Sequence, residues 1–169
     1  MNNSYLVHHG ILGQKWGVRR YQNEDGTLTA EGKARLSSEY RKAHKKLLDD
    51  MDANATSMWV KSYNSAAERM NKGLIDKYNK EFDERNAERV SQKNYRYDKD
   101  EEYERGMQEV WENAFNEEFD KVAYNFVKNH TAYMEARALV ESYGKESLDS
   151  ISRQDYEDME KFFERASSR

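Results

Sequence analysis

Four histidines, His8, His9, His44 and His130, are the side chains here that could exchange a proton near neutral pH or hold a metal. His8 and His9 are adjacent, so they point in different directions, and no His-x-x-x-His or Glu-x-x-His spacing accompanies them. A di-iron helical site would need paired Glu-x-x-His motifs, and neither His44 nor His130 has a glutamate three residues before it. The chain contains no cysteine, which excludes disulfides, thiolate metal sites and cysteine nucleophiles. No serine stands in a Gly-x-Ser-x-Gly elbow, and no Gly-x-x-x-x-Gly-Lys loop is present to cradle a phosphate. The many carboxylates fall at helix-surface spacings, Glu81 before Arg85 for example, which predicts solvated faces and not a cleft. These residues assign no catalytic group, no metal ligand and no cofactor, and the expected mode of action is non-enzymatic.

The elements that would position any functional side chain are predicted to be helical. The chain has 169 residues, no proline and eight glycines, five of which lie at positions 10, 13, 17, 26 and 32. All-β and α/β chains normally use far more of both residues as punctuation. Leu, Ile, Val and Phe make up 26 residues, below the roughly 20% at which disorder becomes a serious reading, but the net charge of only −4 argues against it. Twelve tyrosines, seven methionines and three tryptophans supply further apolar area. The expectation is an all-α fold: a helical bundle with one long amphipathic helix and a short N-terminal module containing turns and a β-hairpin. Its thin core would be completed by a partner or an oligomer. With no long apolar run and no secretory leader pattern, the expected location is a cytoplasm, bacterial or otherwise, with no membrane contact.

Composition changes near Gly32, dividing the chain into a glycine-rich module, 1–32, and a helical body, 33–169. Tyr5 to His9 reads as a short strand, and Glu24-Asp25-Gly26 as the turn of a hairpin between Arg19–Asn23 and Thr27–Leu28. Thr29 is placed to cap a first helix from Ala30 to about Asp52, with Leu36, Tyr40, Ala43, Leu47 and Met51 as its apolar stripe. A second helix follows Asn54 or Thr56, carrying Met58, Trp59, Tyr63, Ala66 and Met70, with Gly73 either ending or loosening it. A third runs from Leu74 towards Val90. Residues 91–98 are polar and form the expected internal linker, after which Asp98 or Asp100 can cap the next helix. The strongest periodicity spans Tyr103 to Val127, broken only by Glu118. It predicts a long amphipathic helix whose Trp111, Phe115, Phe119, Val122 and Phe126 form the bundle centre or an oligomer seam. That helix either continues to Gly144 or bends near Asn129-His130-Thr131. A last helix is expected from Ser152, with Asp155 completing a capping box and Tyr156, Met159, Phe162 and Phe163 buried.

The run His8-His9-Gly10-Ile11-Leu12-Gly13-Gln14-Lys15-Trp16-Gly17-Val18-Arg19-Arg20-Tyr21-Gln22-Asn23, continued by Asp25-Gly26-Thr27-Leu28-Thr29, resembles a segment of phage and prophage proteins of Gram-positive bacteria. There it recurs near the start of small structural proteins and within minor head or head-morphogenesis proteins. The resemblance covers about 25 residues. It departs at Glu24 and Ala30, where those proteins usually carry proline. It implies a phage-associated structural or assembly protein, located in the bacterial host cytoplasm or associated with the virion, and it implies no activity.

Physically, the segment reads either as a docking element or as turns folded back on the first helix. Gly10, Gly13 and Gly17 permit close backbone approach, Trp16 offers a large amphipathic anchor, and Lys15, Arg19 and Arg20 supply donors for carboxylates or phosphates. His8, His9, Lys15, Trp16, Arg19 and Arg20 are therefore the candidate partner-binding residues. Charge is uneven: residues 1–48 carry +5 and the remainder −9. Arg35, Arg41, Lys42, Lys45 and Lys46 flank the first stripe as candidate contacts for phosphates or for an acidic neighbour. The expected partners are other phage structural proteins or further copies of the chain in a homo-oligomer. A phage-encoded inhibitor of a host or defence protein is the alternative, motivated by the acidic body, and a basic-arm nucleic-acid binder is a third.

Overall fold

The computed structural model describes residues 21–168, and among these every regular element is helical. In chain order they are α1 (Ala30–Arg69), a π-helical turn (Met70–Leu74), α2 (Ile75–Arg85), α3 (Ala87–Val90), α4 (Glu101–Lys128), α5 (Thr131–Tyr143) and α6 (Ser150–Ser167), with 3-10 turns at Tyr97–Lys99 and Lys145–Ser147. The all-α expectation holds. The hairpin does not form in the described residues, where a single isolated antiparallel bridge joins Gln22 to Leu28 around Gly26 at φ 87°. Asp25 instead folds its own carboxylate onto the backbone N–H and hydroxyl of Thr27, a local turn that leaves no strand to pair. The strand expected at Tyr5–His9 lies outside the described residues.

Thr29 caps α1 as expected, its hydroxyl accepting from the Gly32 N–H. The predicted break after Asp52 is absent: α1 runs 40 residues, about 60 Å at 1.5 Å per residue. No glycine or proline interrupts Asp49 to Ser57. Asn54 turns its side-chain amide onto the Asp50 carbonyl within the helix and does not start a new one. Near its far end the helix loosens at Gly73, whose φ of 139° only glycine adopts readily. Asn86 interrupts the expected third helix, separating α2 from the single turn of α3.

α4 returns antiparallel to α1 from an Asp100 cap, and the chain bends at Asn129–His130 before α5 continues down the same side. His130 makes that bend. Its Nδ1 accepts from the Tyr133 N–H at 3.3 Å, capping α5, and its Nε2 meets Asp50 on α1 at 3.0 Å. Gly144 ends α5, as expected. The last helix is capped by Asp149 and not by Ser152, because the Asp149 carboxylate accepts from the Ser152 N–H. Ser152 turns inward, its hydroxyl reaching the Ser37 carbonyl, while the Ser37 hydroxyl accepts from the Asp149 N–H.

The single bundle centre expected from the sequence is replaced by two separate apolar clusters along α1. The first gathers Leu28, Leu36, Tyr40, Leu47, Val127, Tyr133, Val140, Leu148 and Tyr156 from the 21–28 turn, α1, α4, α5, the connection after the second 3-10 turn, and α6. The second is small: Ala66, Met70 and Ala114, with Leu74, Ile75, Met107, Val110, Trp111 and Phe115 against it. Between them the α1 residues 52–57 are all exposed. A ring cluster of Tyr78, Phe82, Tyr97 and Tyr103 closes the far end. The segment expected as a linker is fastened there by Tyr95, which donates to Asp100, and by Tyr97, which donates to Asp83.

Candidate partner-binding surface

His8, His9, Lys15, Trp16, Arg19 and Arg20 lie outside the described residues. The five basic residues of α1 named as candidate contacts, Arg35, Arg41, Lys42, Lys45 and Lys46, are described, and four are engaged by carboxylates. Arg35 pairs with Glu39 at 2.8 Å and covers the Tyr21 ring, and Arg41 reaches Asp149. Lys45 pairs with Asp49 at 2.6 Å and Lys46 with Asp50 at 3.0 Å. Lys42 is exposed, with no ion pair among the described residues. The face is therefore a set of surface ion pairs, three of them one turn apart and one reaching the cap of α6, each of low energy, and not a row of free cations.

The five seam residues divide. Phe126 packs against the first cluster. Val122 lines a groove of about 480 Å³ between α1 and α4 beside Met58, Lys61, Asn125 and His130. Trp111, Phe115 and Phe119 join two rings of α1 instead. Trp59 stacks on Tyr63 with centroids 5.1 Å apart, Trp59 tilts against Phe115 at 5.9 Å, Tyr63 meets Trp111 edge-on at 5.1 Å, and Phe115 stacks on Phe119 at 6.1 Å. The result is a continuous ladder of five rings across α1 and α4. Its two α1 rings are not covered, Trp59 being 51% exposed and Tyr63 42%, while Trp111, Phe115 and Phe119 are half-buried.

The reason lies in the register of α1. Its buried positions in this half are Met58, Ser62, Ala66 and Met70, a strict four-residue stripe. Trp59 and Tyr63 sit one residue later, about 100° around the helix, on the flank of the contact with α4. Two of the buried positions are serine and alanine, which bring the helices close but cover little area. The large side chains thus lie beside the interface and not within it. The sequence places Trp59 and Tyr63 on an apolar face together with Met58, Ala66 and Met70. Which of these positions face α4 is set by the partner helix, so no sequence signal separates the two rings from the buried stripe.

Comparison with known protein families, with curated proteins and with solved structures finds no match. The chain's own geometry therefore carries the functional reading.

Beside the ladder, Arg69 crosses from α1 to α4 and holds Glu117 at 2.8 Å and Glu118 at 3.0 Å. Burial pushes the Glu118 carboxyl up, but Lys121 and Arg69 outweigh it and hold the group below its usual range. This explains why a charge could break the predicted apolar stripe of α4. Elsewhere, a depression of about 620 Å³ is lined by Arg89, Tyr95, Arg96, Lys99, Asp100 and Arg105. Arg89 there is bound to Asp100 and Glu102, and Arg96 to Asp98. His44 stacks on Tyr40 and stands 3.7 Å from Asp155, in the first cluster. Among the described residues no group of three or more His, Asp or Glu converges as metal ligands, and no helix is long and apolar enough to cross a membrane.

Proposed function

We propose that this chain is a phage or prophage structural or assembly protein, a head or virion component that acts by protein–protein association. The observation that supports it most is the five-ring ladder, with Trp59 half in solvent. Contiguous exposed aromatic area of this kind is costly in a free monomer and is the usual make-up of an interface centre. The likeness of residues 8–29 to segments of phage head proteins supplies the biological setting. On this reading the protein is made in the host cytoplasm, joins the particle or its precursor, and uses no cofactor.

The test is mass spectrometry of particles and precursor particles purified from the phage that encodes it. The expected result is retention at fixed stoichiometry through a density gradient. Recovery only from the soluble fraction, bound to a host protein, would replace this reading with the inhibitor alternative. That alternative draws support from the described residues, which hold 24 basic and 32 acidic side chains and so carry −8. Nucleic-acid binding has less support, since the carboxylates that engage Arg35, Arg41, Lys45 and Lys46 compete with phosphate for them.

A further inference from the structure

We infer that the ladder of one copy receives the N-terminal segment of a second copy, residues 11–20, with Trp16 seated against Trp59 and Tyr63. This rests on the association reading above and names the contact. Three observations lead to it.

The first is chemical fit. The ladder offers ring faces and edges at 5–6 Å spacing, into which a further indole can stack or pack edge-on. The segment from Ile11 to Arg20 contains Ile11, Leu12, Trp16 and Val18, two glycines, Gly13 and Gly17, that permit close approach, and Lys15, Arg19 and Arg20.

The second is charge. Residues 1–20 carry three basic side chains and no acidic one, against −8 on residues 21–168. The rim of the ladder is acidic by helical spacing: Asp52 lies seven residues before Trp59, Glu104 seven before Trp111, and Glu112 three before Phe115. Asp52, Glu104 and Glu112 make no ion pair among the described residues, and Glu112 accepts only from Gln108. Arg105, next in sequence to Glu104, lines the depression beside Arg89 and Glu102. Three carboxylates without ion pairs at these spacings from an exposed aromatic face match cations placed one and three residues from a tryptophan.

The third is reach, which decides between the chain's own segment and a neighbour's. Tyr21 is fastened to the first turns of α1, its carbonyl accepting from the Thr29 N–H at 3.0 Å and its ring lying under Arg35. Trp59 stands 24 residues beyond Arg35 on the same uninterrupted helix, about 36 Å away at 1.5 Å per residue. Five residues separate Trp16 from Tyr21 and span at most about 18 Å. Trp16 cannot reach the ladder of its own chain, so the occupant belongs to another copy. Segment and ladder are different surfaces, so two copies either exchange segments reciprocally and close as a dimer or propagate the contact into a larger ring or an open filament.

Light scattering coupled to size exclusion on the full chain, with Trp16→Ala and Trp59→Ser/Tyr63→Ser variants, tests it. Wild type is expected to exceed 20.1 kDa with rising concentration, while each variant alone stays at that mass. An equimolar mixture of the two variants retains one intact segment and one intact ladder, and should form a dimer that grows no further. Losing the Trp16 anchor should weaken association by about 30-fold or more, the scale of an interface hot spot. Circular dichroism melts of both variants matching wild type would show that the fold is kept. Association unchanged in Trp16→Ala but lost in the ladder variant would overturn the inference while leaving self-association standing. A wild-type chain that stays at single-chain mass at every concentration would also overturn it. In either case particle retention is measured separately and judges the broader reading alone.

Discussion

The two halves of α1 are built from the same residue types and finished differently. From Leu36 to Leu47 the helix is enclosed: Tyr40 and Leu47 are fully buried, and α5 and α6 bring Tyr133, Val140 and Tyr156 against them. From Met58 to Met70 α4 covers the helix on one stripe, whose buried side chains include Ser62 and Ala66, and the rings stand at its edge. The first half spends its aromatic area on its own stability. The second half leaves that area available to something else, and the exposed stretch 52–57 separates the two.

The largest expected effects break that contrast at the enclosed end. Leu47→Ala should cost about 2–5 kcal/mol and Tyr133→Ala about 3–5 kcal/mol in urea unfolding followed by circular dichroism, because neither cavity can collapse among rigid neighbours. Trp59→Ser at the open end should cost only about 0.5–1.5 kcal/mol, the worth of its ring contacts. Equal losses at the two sites would show that the ladder is core and would remove the distinction.

Next in size is Gly106→Ala. A Cβ at position 106 would collide with the Tyr78 ring, which is buried and donates to the Tyr103 carbonyl at 3.0 Å. The ring cannot swing aside without losing that bond and its contacts with Phe82 and Tyr103. About 1–3 kcal/mol is expected, the usual cost of overpacking. The loss should leave hydrogen-exchange protection at the enclosed end little changed, since Tyr78 packs in the ring cluster at the far end and is no part of the enclosed one.

These comparisons also show what the sequence made legible. The caps at Thr29 and Asp100 and the stripe Leu36–Tyr40–Leu47 were readable because each depends on local spacing alone. The run Asp49 to Thr56 was misread as a helix end, because its acidic and amide side chains resemble caps. Only tertiary contact reveals that the helix is held from both ends. Ser37, Ser62 and Ser152 are fully or almost fully buried, and no polarity pattern announces them; each is admitted because its hydroxyl or carbonyl is paired. The ladder was half legible. Trp111 and Phe115 were marked by their periodicity, but whether position 58 or 59 faces α4 is decided by the partner helix.

Asp149 supplies a smaller, pH-dependent difference. The Ser152 N–H, the Ser152 hydroxyl and Arg41 hold its carboxyl below the usual carboxylate range. A group depressed on folding contributes fully above its unfolded value, near 4, and loses that contribution as pH falls through the depressed value. The cap is worth about 0.5–2 kcal/mol by analogy with other aspartate caps. Asp149→Ala should therefore destabilise at pH 7, and the gap between variant and wild type should narrow as pH drops below about 4. A gap independent of pH would mean that shape and not charge is what Asp149 provides.

The smallest effect sharpens the contrast from the charged side. Lys45 lies on the enclosed half of α1, 74% exposed at its side chain, one turn from Asp49. Such a pair gains little Coulomb energy in water and must hold two mobile side chains in one geometry, so Lys45→Gln should change unfolding free energy by less than about 0.5 kcal/mol. The residual difference should vanish at 1 M salt, where the screening length falls to about 3 Å. If copies meet through the ladder, the same substitution should also leave association unchanged, because Lys45 is 14 residues, about 21 Å, from Trp59. A Lys45 variant that associates poorly would move the working surface of α1 from its aromatic half to its basic half, reversing the assignment of roles between them.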